Sequence, residues 1–100
     1  MITSIFAPRA RRELRSAVTW IAEDNPAAAD ALLAAAMAAA RRLQARPKLG
    51  RVRLELAPDR YRFWSLRGFP YLLVYDAEAE PLVILRFVHQ SRDLPRVLDL

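Results

Sequence analysis

The sequence predicts an α+β fold in which an antiparallel helical hairpin packs on a mostly antiparallel sheet of four to five strands. Helical periodicity and an alanine-rich run fill the first half of the chain, whereas alternating and continuously apolar runs fill the second half. Short turns join the strand-like runs, so neighbouring strands are expected to pair antiparallel. The predicted order is β–α–α–β–β–β–β, in a single domain over residues 1–100.

The first half is predicted to contain a short strand and two helices. Ile2 to Phe6 is an apolar run of strand type, and Pro8 suits the first turn of a helix. From Arg9 to Asp24, apolar residues recur every three or four positions, as on one face of a helix. Asn25 can cap a second helix that runs from Pro26 to Ala45. The apolar stripe of that helix is predicted to consist of Ala29, Leu33, Ala36, Ala40 and Leu43.

The second half is predicted to form the sheet. Arg51 to Leu56 alternates between charged and apolar residues, as an edge strand does, and Tyr61 to Arg67 alternates again. Tyr71 to Tyr75 is continuously apolar, which predicts a central strand buried on both faces. Leu82 to Val88 is the last strand, and a final helical turn is expected before Leu100. The face of the sheet away from the helices is expected to stay open for function.

The composition narrows the classes of function. The chain is 54% hydrophobic and has no cysteine, which excludes disulfides and cysteine zinc sites. We predict no metal site and no cofactor. Pro26 to Ala40 is too short and too rich in alanine to span a bilayer, and no signal peptide is recognisable, so a cytoplasmic protein is expected. The net charge of +5 favours nucleic acid or an acidic protein as partner, with a solvated basic surface as the alternative.

The segment from Leu82 to Asp93 combines a buried strand with charged and titratable residues at its end. Arg86, His89, Arg92 and Asp93 fall within it, and His89 is the single histidine of the chain. These groups are candidates for binding a phosphate or a protein partner. Structural roles compete with that hypothesis: His89 as a hydrogen-bonded strand end, and the Arg92–Asp93 pair as an ion pair or a helix cap.

Five short motifs occur in an order and at spacings that are typical of a known family. They are Pro26–Ala29 after Asn25, Pro47 with Gly50–Arg51, Glu55–Leu56, Tyr71–Tyr75, and Arg86–His89 with Arg92–Asp93. Together they resemble the ParE branch of the RelE/ParE toxin superfamily, and the resemblance covers essentially the whole chain. Each motif is weak by itself, and their combination makes the resemblance specific.

The resemblance implies the toxin of a type II toxin–antitoxin system, of the kind that contributes to plasmid stabilisation. ParE-branch toxins poison DNA gyrase and block replication, whereas RelE-branch toxins cut messenger RNA on the ribosome. The implied partner is a ParD-like antitoxin of ribbon-helix-helix type, in an assembly of two toxins and two antitoxins. The toxin would meet DNA only through the antitoxin, which represses the operon, and no membrane contact is implied.

The residues favour the gyrase poison over a nuclease. Metal-independent RNA cleavage needs a proton acceptor, a proton donor and cations, for which Arg86, His89 and Arg92 are the candidates. Leu72 stands where RelE-type nucleases carry a catalytic arginine, and strict alternation puts Arg86 and His89 on opposite faces of their strand. We therefore expect no enzyme activity. The alternatives are a ribosome-dependent endonuclease and a non-toxic module that acts with the antitoxin in autorepression.

Two groups of residues are predicted to make protein contacts. The target-binding group, at the end of the chain, comprises Arg92, Asp93, Arg96 and Leu98. The antitoxin-binding group comprises Trp20, Leu33, Met37, Arg62, Trp64 and Arg86. The antitoxin is expected to cover the helical hairpin with a helix and the edge of the sheet with a strand. For the two tryptophans, a core or half-buried place is the first interpretation, and a place in an interface is the other.

Overall fold

Two helices followed by a four-stranded sheet make up the fold in the computed structural model, which describes residues 5–91 and 94. The elements are α1 (Pro8–Ala22), α2 (Pro26–Ala45), β1 (Arg51–Val52), β2 (Tyr61–Ser65), β3 (Tyr71–Asp76) and β4 (Val83–His89). The sheet order is β1-β2-β3-β4, and each neighbouring pair is antiparallel. This confirms the predicted α+β class and the helical hairpin followed by an antiparallel sheet.

Local chemistry sets the boundaries of the hairpin. Proline occupies the start of both helices, where its missing N–H costs no helical hydrogen bond. The Asn25 side chain accepts a hydrogen bond of 3.1 Å from the Ala28 backbone N–H, which caps α2 as predicted. The predicted bounds of α2 are confirmed. They could be predicted because these signals are encoded in neighbouring residues.

The buried stripe of α2 differs from the prediction by one position near its start. Its buried residues are Ala29, Leu32, Ala36, Ala39, Ala40 and Leu43. Leu32 is fully buried, whereas Leu33, predicted in the stripe, is 40% exposed. In a helix made mostly of alanine, many residues are small enough to face the core, so packing against α1 and the sheet decides the rotation.

Apolar side chains cover both faces of the sheet. The main core lies between the helices and one face, where Leu73 and Tyr75 of β3 meet Ile84 and Phe87 of β4. The opposite face carries a smaller cluster formed by Ala57, Phe63, Leu72, Val74 and Val88. Leu56 and Leu94 pack against that cluster. This face is therefore partly covered, contrary to the expectation that it stays open, and β3 is buried on both faces as predicted.

Two predicted strands are shorter than expected. In place of the Ile2 to Phe6 strand, the described residues show a single parallel bridge between Phe6 and Ile84, and residues 2–4 lie outside the described part of the chain. β1 ends at Val52, because the Arg53 carbonyl accepts hydrogen bonds from the next turn, at 2.9 Å from Leu56 and 3.1 Å from Ala57. The helical turn predicted near Leu100 also lies outside the described residues.

Candidate functional site

The outer edge of β4 is closed by α1 through one carboxylate. The Glu13 side chain accepts hydrogen bonds from Arg86 Nε at 3.1 Å to each oxygen and from Arg86 Nη2 at 2.6 Å. The same carboxylate accepts the Phe87 backbone N–H at 2.9 Å. Arg86 is only 4% exposed, so this is a buried ion pair that also satisfies a backbone group of the strand.

A β-bulge lies in β4 directly before Arg86. Tyr75 pairs with Ile84 and Val74 pairs with Arg86, so Leu85 is left over in the register between β3 and β4. An extra residue bends its strand and re-aims the side chains beside it; Arg86 shares a face with Val88 and still reaches Glu13 of α1 at the edge of the sheet. The Ile84 carbonyl is also occupied, since it accepts the Ala7 N–H at 2.8 Å. From Ile84 to Phe87, α1 and the segment before it thus protect this edge.

The outer edge of β1 carries no such cover. Among residues 5–91 and 94, β1 pairs only with β2, and both of its residues are exposed. Two large apolar side chains accompany this edge: Val52 is 37% exposed and Leu54 is 73% exposed. An edge strand with open backbone groups is a template for pairing with another chain. β1 is therefore the free edge of the sheet.

Tyr75 holds the segment that leads into β1. Its hydroxyl donates to the Pro47 carbonyl at 2.6 Å and accepts the Gly50 N–H at 2.8 Å. Arg62 adds hydrogen bonds to the carbonyls of Gly50 at 2.9 Å and Lys48 at 3.3 Å. Burial raises the pKa of Tyr75, although its hydrogen bond with Gly50 opposes the rise.

Glycine is required at position 50 by this close approach. A Cβ atom built there would lie 2.5 Å from the Tyr75 hydroxyl oxygen and 3.0 Å from the Phe63 carbonyl oxygen. The loop therefore passes against the phenol of Tyr75 with no room for a side chain, which fixes the place of β1 beside β2.

Two cavities with basic linings lie on either side of the free edge. The larger has a volume of about 650 Å³ and is lined by Arg46, Pro47, Lys48, Leu49, Val52, Asp59, Arg60, Arg62, Ala77 and Glu78. The smaller has a volume of about 240 Å³ and is lined by Leu49, Arg51, Arg53, Phe63, Trp64, Ser65 and Leu72. Positive charge thus surrounds apolar surface on both sides of β1.

Two of these arginines form ion pairs with carboxylates of the same chain. Arg60 forms a bidentate pair with Asp76, at 3.1 and 2.8 Å, and this hydrogen bonding raises the pKa of Arg60. Arg53 bonds to Glu55 at 3.1 Å. A backbone hydrogen bond, followed by the one from Arg53, lowers the pKa of Glu55. The Glu55 carboxylate is well exposed to solvent, whereas the Asp76 side chain is only 15% exposed.

A third cavity, of about 390 Å³, lies between α1 and the end of β4. We call it the aromatic groove; its lining residues are Glu13, Ser16, Ala17, Trp20, Tyr71, Phe87, Val88, His89 and Ser91. Tyr71 stacks on Phe87 with ring centroids 4.9 Å apart and meets the His89 ring edge-on at 5.3 Å. His89 Nδ1 accepts the Ser91 N–H at 3.0 Å and lies 2.7 Å from the Ser91 hydroxyl.

A comparison with models of known protein families gives a match for this chain. Residues 5–94 match the family of the ParE toxin of type II toxin–antitoxin systems, parDE. The chain belongs to the ParE toxin family. A search of the curated proteins gives no match. The family membership agrees with the resemblance in the sequence motifs, and it implies an antitoxin partner.

Two of the candidate nuclease residues, Arg86 and His89, are not brought together in this ParE-family fold. Arg86 is buried in its pair with Glu13, whereas His89 lies in the aromatic groove beside Tyr71 and Ser91. From Arg86 to His89 the register with β3 is regular, so the two side chains leave the strand on opposite faces, as predicted. Arg92 lies outside the described residues.

The predicted antitoxin-binding residues are scattered over the molecule, and one of them, Arg86, is buried in its pair with Glu13 and not presented at the surface. Trp20 lines the aromatic groove and is 72% exposed, which rules out a place in the core. Trp64 is half-buried, lines the smaller basic cavity and has the Arg42 guanidinium 5.5 Å from its ring centroid. Arg62 lines the larger one. On α2, Leu33 is exposed and Met37 is half-buried against the core. The target-binding group, Arg92, Asp93, Arg96 and Leu98, lies outside the described residues.

Sequence reasoning missed Glu13 and Tyr75. Glu13 is an acidic residue in a helix rich in arginine, three residues after the buried Ala10 and four before the buried Ala17. That position at the border of the buried face was the available signal for an inward ion pair. Tyr75 was predicted as buried, and a buried phenol needs a hydrogen-bond partner, but nothing in the sequence points to Pro47 and Gly50.

Neither a metal site nor a membrane span is found in the part of the chain that the structure describes. No three His, Cys, Asp or Glu residues among those described are grouped so that they could bind a metal ion. No described helix is long and apolar enough to cross a bilayer.

Proposed function

We propose that this ParE-family toxin poisons DNA gyrase by binding it, without catalysing a reaction, and that an antitoxin silences it by extending the sheet at β1. The antitoxin would be of the ParD-like ribbon-helix-helix type, in a cytoplasmic complex of two toxins and two antitoxins. The observation that carries this proposal is the contrast between a closed β4 edge and a free, basic β1 edge.

Strand addition at β1 is supported by the geometry of the edge. An added strand would pair with the exposed backbone of Arg51 and Val52 and would cover the exposed side chain of Leu54. Side chains that alternate along such a strand point to opposite faces. One set would enter the larger cavity near Lys48, and the other would enter the smaller cavity near Arg53.

The charge of both cavities favours an acidic segment. Arg46, Lys48 and Arg51 are exposed beside the edge, in a chain with a net charge of +5. Carboxylates on the added strand would speed association and fix its register. A helix of the antitoxin would pack on the helical hairpin, where it would contact Leu33 and Met37 of α2.

Two observations support binding over RNA cleavage. The Arg86 guanidinium is occupied by Glu13 and withdrawn from solvent, so it is poorly placed to hold a scissile phosphate. Leu72, at the position where RelE-type nucleases have an arginine, is buried in the smaller apolar cluster. A phosphate-binding constellation would need at least one of these positions to present a cation to solvent.

Expression in a host that lacks the antitoxin tests the target. Growth arrest with a DNA-damage response and cleaved DNA is the expected result. Growth arrest with loss of polysomal messenger RNA would replace gyrase by the ribosome, and unhindered growth would leave an inert interaction module. A chain truncated after Asp93 should lose the growth arrest, since the truncation removes Arg96 and Leu98 from the proposed target-binding group.

Charge reversal at the free edge tests the antitoxin site. The double variant Lys48→Glu, Arg51→Glu should still arrest growth, because both side chains are exposed. It should bind the antitoxin about tenfold more weakly or worse, through repulsion of an acidic strand. Arg15→Glu, on the exposed side of α1, is the control. Calorimetric titration measures the affinities, and equal affinity of the double variant and the control would contradict the proposal.

A further inference from the structure

The aromatic groove has a surface that folding alone does not explain. Trp20 is 72% exposed, although burying its large ring would have stabilised the fold. The opposite wall is rigid, because Tyr71 is held between Phe87 and His89 by ring contacts. An exposed tryptophan that faces an ordered aromatic wall is typical of an interface anchor site.

The described lining of this groove lacks the basic residues that surround β1. The described residues that line it include no lysine or arginine, whereas each cavity beside β1 contains several. The last turn of α1 has no basic residue either. Glu23, the C-cap of α1, keeps a helical backbone and follows Trp20 by three residues, which places its side chain on the side of the helix that carries Trp20. The negative end of the helix dipole adds to the charge of Glu23.

We propose that the aromatic groove binds an arginine side chain from an extended segment of the toxin's protein target. A guanidinium is planar, so it can stack on the Trp20 ring while its N–H groups reach hydroxyls such as those of Ser16 and Ser91. The nearby carboxylate of Glu23 complements its charge. A nucleic-acid partner is disfavoured, because the same carboxylate would repel its phosphates.

The position of the groove favours the target, although the sequence predicted Trp20 to be in the antitoxin-binding group. Ser91, at the end of the groove, directly precedes the segment proposed to contact the target. The antitoxin strand is proposed at the other edge of the sheet, where the surface is basic. The identity of the partner thus rests on the proposed function, whereas the preference for a guanidinium can be measured without it.

A peptide titration tests the chemistry of the groove. The probes are the acetylated and amidated peptides Gly-Gly-Arg-Gly-Gly and its counterpart with citrulline, which keeps the shape of arginine but has no charge. In NMR spectra of the intact protein, the indole N–H of Trp20 should shift with the arginine peptide. The citrulline peptide should bind about threefold to tenfold more weakly. The indole of Trp64, which lines a different cavity, is the internal control.

Three outcomes would overturn the proposal: no shift at Trp20, equal shifts with both peptides, or a shift confined to Trp64. The variant Trp20→Ala should abolish the perturbation of the Tyr71 and His89 ring signals by the arginine peptide. Because Trp20 is largely exposed, this variant should fold normally. Its thermal transition, compared with that of Thr19→Ala, checks that it does.

A growth assay tests the assignment to the target. Trp20→Ala should lose growth arrest and keep its affinity for the antitoxin, whereas Thr19→Ala, exposed on the same helix, should retain both. A Trp20→Ala chain that still arrests growth but escapes the antitoxin would assign the groove to the antitoxin and overturn the inference. If the wild-type chain causes no arrest, the proposed function fails, and the peptide titration still decides what the groove binds.

Discussion

The two edges of the sheet differ: the β4 edge is covered by other parts of the chain, whereas the β1 edge is open. At β4, the Glu13 carboxylate of α1 accepts hydrogen bonds from the Arg86 guanidinium and the Phe87 N–H. The Ala7 N–H donates to the Ile84 carbonyl. At β1, none of the described residues lies beside the strand as a further pairing partner. A buried ion pair therefore closes one edge of the sheet. The other edge is short, basic and partly apolar.

This difference is the basis for the proposal that a partner protein binds at β1. An exposed edge with apolar side chains is a liability that proteins usually cover or blunt. Here β1 is only two residues long and is surrounded by arginines, which limits random pairing while permitting an acidic partner to bind. We propose that the antitoxin covers this edge.

The largest expected effect comes from opening the closed edge. Glu13→Ala would leave the buried Arg86 without its main partner and the Phe87 N–H unpaired. We expect the free energy of unfolding to fall by about 3 kcal/mol, as for other buried pairs that lose one member. Urea denaturation followed by circular dichroism measures this loss.

Glu55→Ala provides the matched control, because Glu55 pairs with Arg53 at the free edge in an exposed ion pair. It should not change the unfolding transition measurably. Equal loss of stability in both variants would show that the two edges do not differ in the way described.

A smaller effect is expected at the support of the free edge. Tyr75→Phe would leave the buried Gly50 N–H and the Pro47 carbonyl without their partner, at a cost of about 2 kcal/mol. The loop into β1 would also loosen, so antitoxin affinity should fall along with stability. Unchanged affinity in this variant would mean that β1 is not part of the antitoxin site.

The same tyrosine predicts a dependence of stability on pH. Burial raises the pKa of Tyr75 in the folded protein, so folding favours the neutral phenol. The resulting stability is fully present below the pKa of an unfolded tyrosine, about 10. It is lost as the pH rises through the higher folded value. Wild type should thus lose more stability than Tyr75→Phe between neutral pH and strongly alkaline pH, and parallel losses would contradict this assignment.

The smallest change in stability is expected from blunting the free edge. Leu54→Lys alters an exposed side chain, so the free energy of unfolding should stay within about 0.5 kcal/mol of wild type. Self-association of the isolated chain, measured by light scattering, should decrease because the edge becomes more polar and more charged. Leu33→Lys, on the exposed side of α2, should leave self-association unchanged.

Local signals predicted most of the fold. The bounds of α2 follow from Asn25, Pro26 and Pro47, which act on their immediate neighbours. β3 follows from its continuous apolar run, and the short turns imply the antiparallel order. Periodicity could not choose between Leu32 and Leu33, since alanine surrounds both and the packing of the hairpin decides the matter.

The candidate sites were harder to predict, because they depend on contacts between distant parts of the chain. Arg86 looked like a surface cation, and it is buried only because Glu13, 73 residues earlier, neutralises it. The alternation of Arg51 to Leu56 predicted a longer strand, but the turn at Arg53 ends it. The groove beside Trp20 could not be predicted, because residues of α1 and residues at the end of β4 line it together.

Amide hydrogen exchange with and without the antitoxin is the most direct test of the central claim. In the free toxin, the amides of residues 51–54 should exchange fast, whereas the Phe87 N–H, bonded to Glu13, should already be protected. Binding of the antitoxin should slow exchange at 51–54 and leave Phe87 unchanged. New protection along β4 with none at β1 would contradict the account.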